Sequence, residues 1–228
     1  MAGDPIELRG VRKRYGNLLA VDSVDLTVAP GTFHCLVGPN GSGKTTLLRM
    51  MLGLTKPSAG TVRVPAVPLG TAFQRPSHYE NLTVAENLEV FGALTGAAEA
   101  WTETVLERLG LDVVEDRIAG ELSGGYARKL DLALALCKEP GFLLLDEPLG
   151  DLDDVTKQRL VAFLADYRDA GNGVVVSTHN LEQFAHHVDR LTIVHEGRVL
   201  YDESREAFPD RDLHGFYVER VLSTVGSE

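Results

Sequence analysis

Gly38-Pro39-Asn40-Gly41-Ser42-Gly43-Lys44-Thr45 has the spacing G-x-x-x-x-G-K-[ST] of a loop that grips phosphate, and the fold is read outward from it. Gly38, Gly41 and Gly43 allow backbone angles and close approaches that side chains forbid, so successive N–H groups can turn inward around anionic oxygens. Lys44 is placed to reach the outer phosphates, and the Thr45 hydroxyl to hold the Mg²⁺ that travels with them. Before the loop, Thr32-Phe33-His34-Cys35-Leu36-Val37 reads as a short buried strand. After it, Thr46-Leu47-Leu48-Arg49-Met50-Met51-Leu52 reads as a helix whose N-terminus favours the same anion. Strand, glycine loop and helix together predict an α/β phosphate-loop core that binds a nucleoside triphosphate.

Composition sets the frame for that core. With 228 residues, 44% hydrophobic and 24% charged, the chain is long enough for one substantial core and a smaller lobe. Its net charge of -11 argues against a sequence-independent grip on DNA or RNA, which needs clustered Lys and Arg to neutralise phosphates. The clearest basic cluster, Arg9, Arg12, Lys13 and Arg14, reads as a solvated strand surface. No segment approaches the ~20 apolar residues needed to span a bilayer, and Met1-Ala2-Gly3-Asp4-Pro5 lacks a signal-peptide pattern, so the cytoplasm is expected. Cys35 and Cys137 both sit in apolar segments and are expected to be buried free thiols.

Alternating apolar and polar residues at 6–11 and 21–28, followed by a turn at Ala29-Pro30-Gly31, predict an antiparallel flap ahead of the phosphate loop. A short strand is expected at 61–64, and Pro65, Pro68 and Gly70 mark an irregular connection after it. Helical patterns cover 84–92, 100–109 and 125–137, with an N-cap at Thr83. His186 and His187 read as helix-surface residues. Apolar runs at 141–145 and 173–176 predict central parallel strands. One unit over 1–228 is the simplest division, with the flap and phosphate loop in 1–75, a helical part in 76–138 and the rest of the core in 139–228.

Leu143-Leu144-Leu145-Asp146-Glu147-Pro148 puts two carboxylates just past the end of an apolar strand, where ligands bind in open α/β sheets. Asp146 is the candidate metal partner of Thr45, and Glu147 the candidate to orient or deprotonate an attacking water.

Leu122-Ser123-Gly124-Gly125 matches the signature motif of ABC-type ATPases, the nucleotide-binding subunits of membrane transporters. It falls between the phosphate loop and the carboxylate pair, in that family's order, and the chain resembles the family from residue 6 to about residue 200. The resemblance implies a P-loop NTPase core with a mainly parallel sheet, an N-terminal antiparallel β subdomain and a helical subdomain carrying the signature. It also implies that residues 38–46 bind ATP, that Tyr15 stacks on adenine, and that Gln74 contacts Mg²⁺ and senses the membrane partner. His179 corresponds to the switch histidine at the γ-phosphate, and Asp153 to the loop that links two active sites across a dimer. Ser123, Gly124 and Gly125 would then act in trans, on ATP held by a second copy or a homologous subunit, while transmembrane permease subunits receive the motion. The resemblance also implies that the cargo is chosen by subunits absent from this chain. The runs at 81–92 and 128–136 look most like ATPases of export systems, with import open. Repair-type ABC ATPases would carry long coiled coils or zinc modules between the motifs, and no heptad tract or Cys cluster occurs here, so no nucleic-acid partner is expected. A non-hydrolysing regulatory subunit is the other alternative, opposed by the presence of Glu147 and His179. Three positions depart from the family pattern: Tyr126 replaces the usual glutamine after the signature, Gly150-Asp151 the usual Ser-Ala, and the connection from 47 to 73 is short.

Overall fold

The computed structural model describes residues 3–96, 98–150, 152–207 and 213–225. The strand that feeds the phosphate loop, β3 (Phe33–Val37), is buried along its whole length near the middle of a six-stranded sheet. The loop then turns into α1 (Lys44–Met51). Beside β3 run β7 (Gly173–Thr178), β6 (Phe142–Asp146) and β5 (Leu69–Ala72), all parallel to it. On its other side lie parallel β8 (Arg190–His195) and then β9 (Arg198–Ser204), which is antiparallel and closes the edge. Near-continuous apolar sequence in β3, β6 and β7 follows from having both faces of these strands covered.

Successive side chains on a strand point to opposite faces, and here each face has its own core. Cys35, Val37, Leu143, Leu145, Val174 and Val176 join one cluster, together with the apolar residues of α4 (Gly124–Leu136) and α5 (Asp154–Asp169). Leu36, Leu144, Val175 and Val194 join the other, together with Leu47, Leu48 and Met51 of α1. The second cluster also takes in Ile6, Leu8, Val24 and Leu26, from a three-stranded antiparallel sheet of β2 (Leu18–Val28), β1 (Ile6–Tyr15) and β4 (Ala59–Arg63). Full burial of each such Leu or Val contributes roughly 1.5–3 kcal/mol.

The remaining helices are α2 (Val84–Thr95), α3 (Glu99–Arg108) and the C-terminal α6 (Leu213–Val225). Thr83 caps α2 as expected: its hydroxyl accepts from Glu86 N at 3.1 Å, and the Glu86 carboxylate accepts from Thr83 N at 2.8 Å. The basic residues near the start are largely paired, Arg9 with Glu7 at 3.1 Å and Arg12 with Asp22 at 3.1 Å. Cys35 and Cys137 are buried free thiols, and burial pushes the Cys137 thiol up to about 11.

Several elements differ from the pattern reading. Gly70 belongs to β5 and not to the irregular connection before it. A Cβ there would lie 2.3 Å from Ala135 O, so glycine is what allows this strand to pack against the end of α4. The strand at 61–64 also joins the flap, pairing with β1 from the side opposite β2. His186 and His187 lie in a turn after a short 3-10 segment (Glu182–Phe184), not on a helix. The β8–β9 hairpin and α5 have no counterpart in the expected elements.

Candidate functional site

The phosphate loop is held by neighbours that exclude side chains from its glycines. A Cβ on Gly38 would meet Val194 O at 2.1 Å, and one on Gly43, at φ 108°, would meet Ala20 O at 2.7 Å. Gly197 braces the loop from the β8–β9 turn: its N–H donates to Ser42 O at 2.9 Å, and its carbonyl accepts from Asp22 N at 2.8 Å. Gly41, at φ 81°, faces open space at the crest. The Lys44 amine is folded back, donating to Gly38 O at 2.6 Å and Pro39 O at 3.1 Å. Burial lowers its pKa, while Glu147 and Asp146 pull it back upward.

The carboxylate pair stands at the end of β6, next to this loop. Asp146 Oδ2 accepts from Thr45 Oγ1 at 2.8 Å, and its Oδ1 accepts from Ser177 Oγ on β7. Glu147 adopts φ 48°, an uncommon angle for a residue with a side chain, and its N–H donates to Ser177 O at 3.0 Å. Its Oε1 lies 2.9 Å from His179 Nδ1. Glu147 is 14% exposed and His179 65%, so the pair spans from interior to solvent.

A cleft of about 600 Å³ brings together Tyr15, residues 40–46, Gln74, Asp146 and Glu147. Tyr15 is 43% exposed at the cleft's edge, with the Lys13 amine 4.9 Å from its ring centre. A second cleft of about 510 Å³ holds His179 and Asn180, and shares Asn40, Gln74 and Glu147 with the first. Ser123, Gly124 and Gly125 are not among the residues lining either cleft. Ser123 and Gly124 are exposed at the N-terminus of α4, where Ser123 is the N-cap and its hydroxyl makes no capping bond. Asp153 is also outside the clefts; it caps α5 by accepting from Thr156 N at 2.9 Å and Thr156 Oγ1 at 2.6 Å, bonds that lower its pKa. Tyr126 is half-buried against the first core, with the Lys129 amine 4.9 Å from its ring centre. Asp151 lies outside the described residues.

These residues suit a triphosphate accompanied by Mg²⁺. Gly41 and Gly43, at φ 81° and 108°, leave the loop backbone free of side chains on the way to Lys44, and Ser42 Oγ between them is buried without a hydrogen-bond partner. Thr45 and Asp146 offer the hard hydroxyl and carboxylate oxygens that Mg²⁺ prefers. Among the described residues no cluster of three or more His, Cys, Asp or Glu could hold a metal by itself.

A family model described as ABC transporter matches residues 21–150, which contain the phosphate loop, the signature and both carboxylates. The chain belongs to the ABC transporter family. It is 38% identical over 224 residues to the Nod factor export ATP-binding protein I of Burkholderia lata, covering 92% of this chain and 74% of that protein. With a daunorubicin resistance ATP-binding protein of Streptomyces coeruleorubidus it shares 37% identity, over 99% of this chain and 76% of the relative. Among solved structures, an ATP-binding subunit of an ABC transporter superposes with a TM-score of 0.86 at 25% identity, covering 96% of this chain and 100% of that one. A dimeric bacterial ABC transporter cassette gives 0.80 at 28% identity, covering 87% and 98%. The chain is an ABC transporter ATP-binding subunit with the cassette fold.

Four residues at this ABC site escape the motif reading. Glu196 lines the nucleotide cleft and Gly197 braces the phosphate loop; both have positive φ, at 47° and 77°. Glu-Gly between the β-rich runs Leu-Thr-Ile-Val-His and Arg-Val-Leu-Tyr is a two-residue hairpin signal that would have located them. On α4 just after the signature, Arg128 donates to the main-chain carbonyls of Asp146 and Glu147, and Asp131 accepts from the segment after Gln74. Periodicity gives them no distinction, since their partners are mostly backbone groups distant in sequence.

Proposed function

We propose that this chain hydrolyses ATP in a dimer of ATP-binding subunits and drives export through transmembrane permease subunits, acting as one ATPase unit over residues 1–228. The observation that carries the reading is Glu147 Oε1 lying 2.9 Å from His179 Nδ1, with Glu147 lining both clefts and directly following Asp146, which accepts from Thr45. Residues 38–46 cradle the triphosphate, and Tyr15 offers its exposed ring to the base. The buried Lys44 amine exchanges its two loop carbonyls for phosphate oxygens, an ammonium-to-anion contact stronger than the bonds it leaves. Mg²⁺, when bound, neutralises developing charge on the phosphates, with Thr45, Asp146 and Gln74 as its protein partners. Glu147 accepts a proton from the attacking water, and His179 fixes the carboxylate's orientation from the solvent side.

Ser123 and Gly124, exposed at a helix N-terminus, and the half-buried Gly125 after them lie away from this chain's own clefts and suit contact with the nucleotide of a second copy. Asp153 sits near the start of α5 in the loop that would join the two sites. Export is supported by the relatives named for Nod factor export and daunorubicin resistance. No helix among the described residues is long and apolar enough to cross a membrane, so attachment to the inner face of the membrane would run through the permease.

The test is the steady-state ATPase rate of the wild type and of Glu147→Gln, with gel filtration in ATP. The expected outcome is hydrolysis by the wild type, a fall of roughly 10²–10⁴-fold in the variant, and an ATP-dependent dimer of the variant. A wild type that hydrolyses nothing, with a variant that stays monomeric in ATP, refutes the reading.

A further inference from the structure

Arg128 is buried, 8% exposed, one turn into the helix that begins at the signature. Its guanidinium reaches the two segments on which hydrolysis depends. Nη1 donates to Phe73 O, the carbonyl directly before Gln74. Nη2 donates to Asp146 O at 2.8 Å and Glu147 O at 3.1 Å, and Nε donates to Pro148 O at 3.3 Å. Three residues further along α4, Asp131 is 3% exposed and accepts from Ser77 N at 2.8 Å, Ser77 Oγ at 3.2 Å and His78 Nδ1 at 3.0 Å. The short Gln74-Arg75-Pro76 span is therefore tied to the same helix at both ends.

We propose that Arg128 is a positioning residue for ATP hydrolysis: by binding the carbonyls of Phe73, Asp146, Glu147 and Pro148 at once, it fixes Gln74 and Glu147 relative to the signature helix. This rests on the hydrolytic reading above. Three features carry it. A planar guanidinium presents its donors in a rigid fork, so the carbonyls it joins are held at set separations. Glu147 has a positive φ that neighbouring bonds must maintain, and its carbonyl is one of those the fork holds. The same rigid helix starts at Ser123, so a push on the signature end is delivered to the carboxylate loop and to the Gln74 segment together.

The experiment compares wild type, Arg128→Lys, Glu147→Gln and the double variant, reading kcat, affinity for a fluorescent ATP analogue, and thermal midpoint. Lysine keeps the charge but cannot span two segments. The expected result for Arg128→Lys is a kcat lower by about tenfold or more, with nucleotide affinity within about twofold of wild type. Because the effect runs through Glu147, the double variant should hydrolyse no more slowly than Glu147→Gln alone. Arg128→Lys at the wild-type rate overturns the proposal, and so does a double variant slowed by the product of the two single effects. Parallel loss of kcat, affinity and thermal midpoint in Arg128→Lys also overturns it, because that pattern marks a merely structural arginine. A wild type without hydrolysis removes the hydrolytic reading itself, whereas a fully active Arg128→Lys removes only the positioning role.

Discussion

His34 provides a quantitative check on the interior of β3, directly upstream of the phosphate loop. The ring is fully buried, with Nε2 2.7 Å from Thr192 Oγ1 and Nδ1 without a partner. Thr192 spends its single hydroxyl proton on Asp202 Oδ1 at 2.7 Å, so His34 must be the donor through Nε2–H and the neutral tautomer is set. Burial is the largest influence and lowers the His34 pKa to about 4; Asp202, 3.9 Å away, raises it, and Arg190 lowers it further. The unfolded chain therefore binds this proton more readily than the native one. Stability is complete above the unfolded value of 6.5, and is lost as pH falls from there towards about 4. At 1.36 kcal/mol per unit the whole effect is about 3 kcal/mol, of which about 2 kcal/mol is lost between pH 7.5 and pH 5.0. The assay is urea unfolding of wild type and His34→Gln at both pH values, where the difference between the two proteins cancels distant titrations. Glutamine can still donate to Thr192 but does not titrate, so the wild type should lose about 2 kcal/mol relative to the variant on acidification. A gap that is the same at pH 7.5 and pH 5.0 refutes the account of a buried neutral histidine.

Other outcomes follow from the same contacts. Lys44→Met removes a charged donor from the phosphates and should weaken ATP binding about 10- to 100-fold in equilibrium titration, with the thermal midpoint largely kept. Gly70→Ala places a methyl 2.3 Å from Ala135 O, and should lower unfolding free energy by about 1–3 kcal/mol in urea titration. Thr83→Ala breaks the α2 capping box and should cost about 1 kcal/mol by the same measurement, without changing ATP affinity.

The phosphate loop, the strand before it and the helix after it are legible because their chemistry is local: glycine spacing, a buried apolar run and an amphipathic start. Asp146 and Glu147 are legible for a related reason, as charge abruptly ending Leu143-Leu144-Leu145. His179, by contrast, becomes meaningful only through the family resemblance, because nothing local announces that its ring reaches Glu147 across 32 residues. Gly70 reads as loop punctuation because the reason for glycine is the carbonyl of Ala135, supplied by another helix. Arg128 is the extreme case. Its neighbours Ala127 and Lys129 make it look like helix surface, and only tertiary structure shows it buried among carbonyls.

The division of the interior into two cores has a mechanical consequence. The central sheet is a wall one strand thick, and β3 contributes Cys35 and Val37 to one side and Leu36 to the other. Close-packed interiors transmit strain, so a displacement of the shared strand is felt in both compartments. The flap and the helix that carries the signature thus share no core, yet each packs against the strand that aims the phosphate loop. Strain carried through that wall would let the two sides sense one another without a common core.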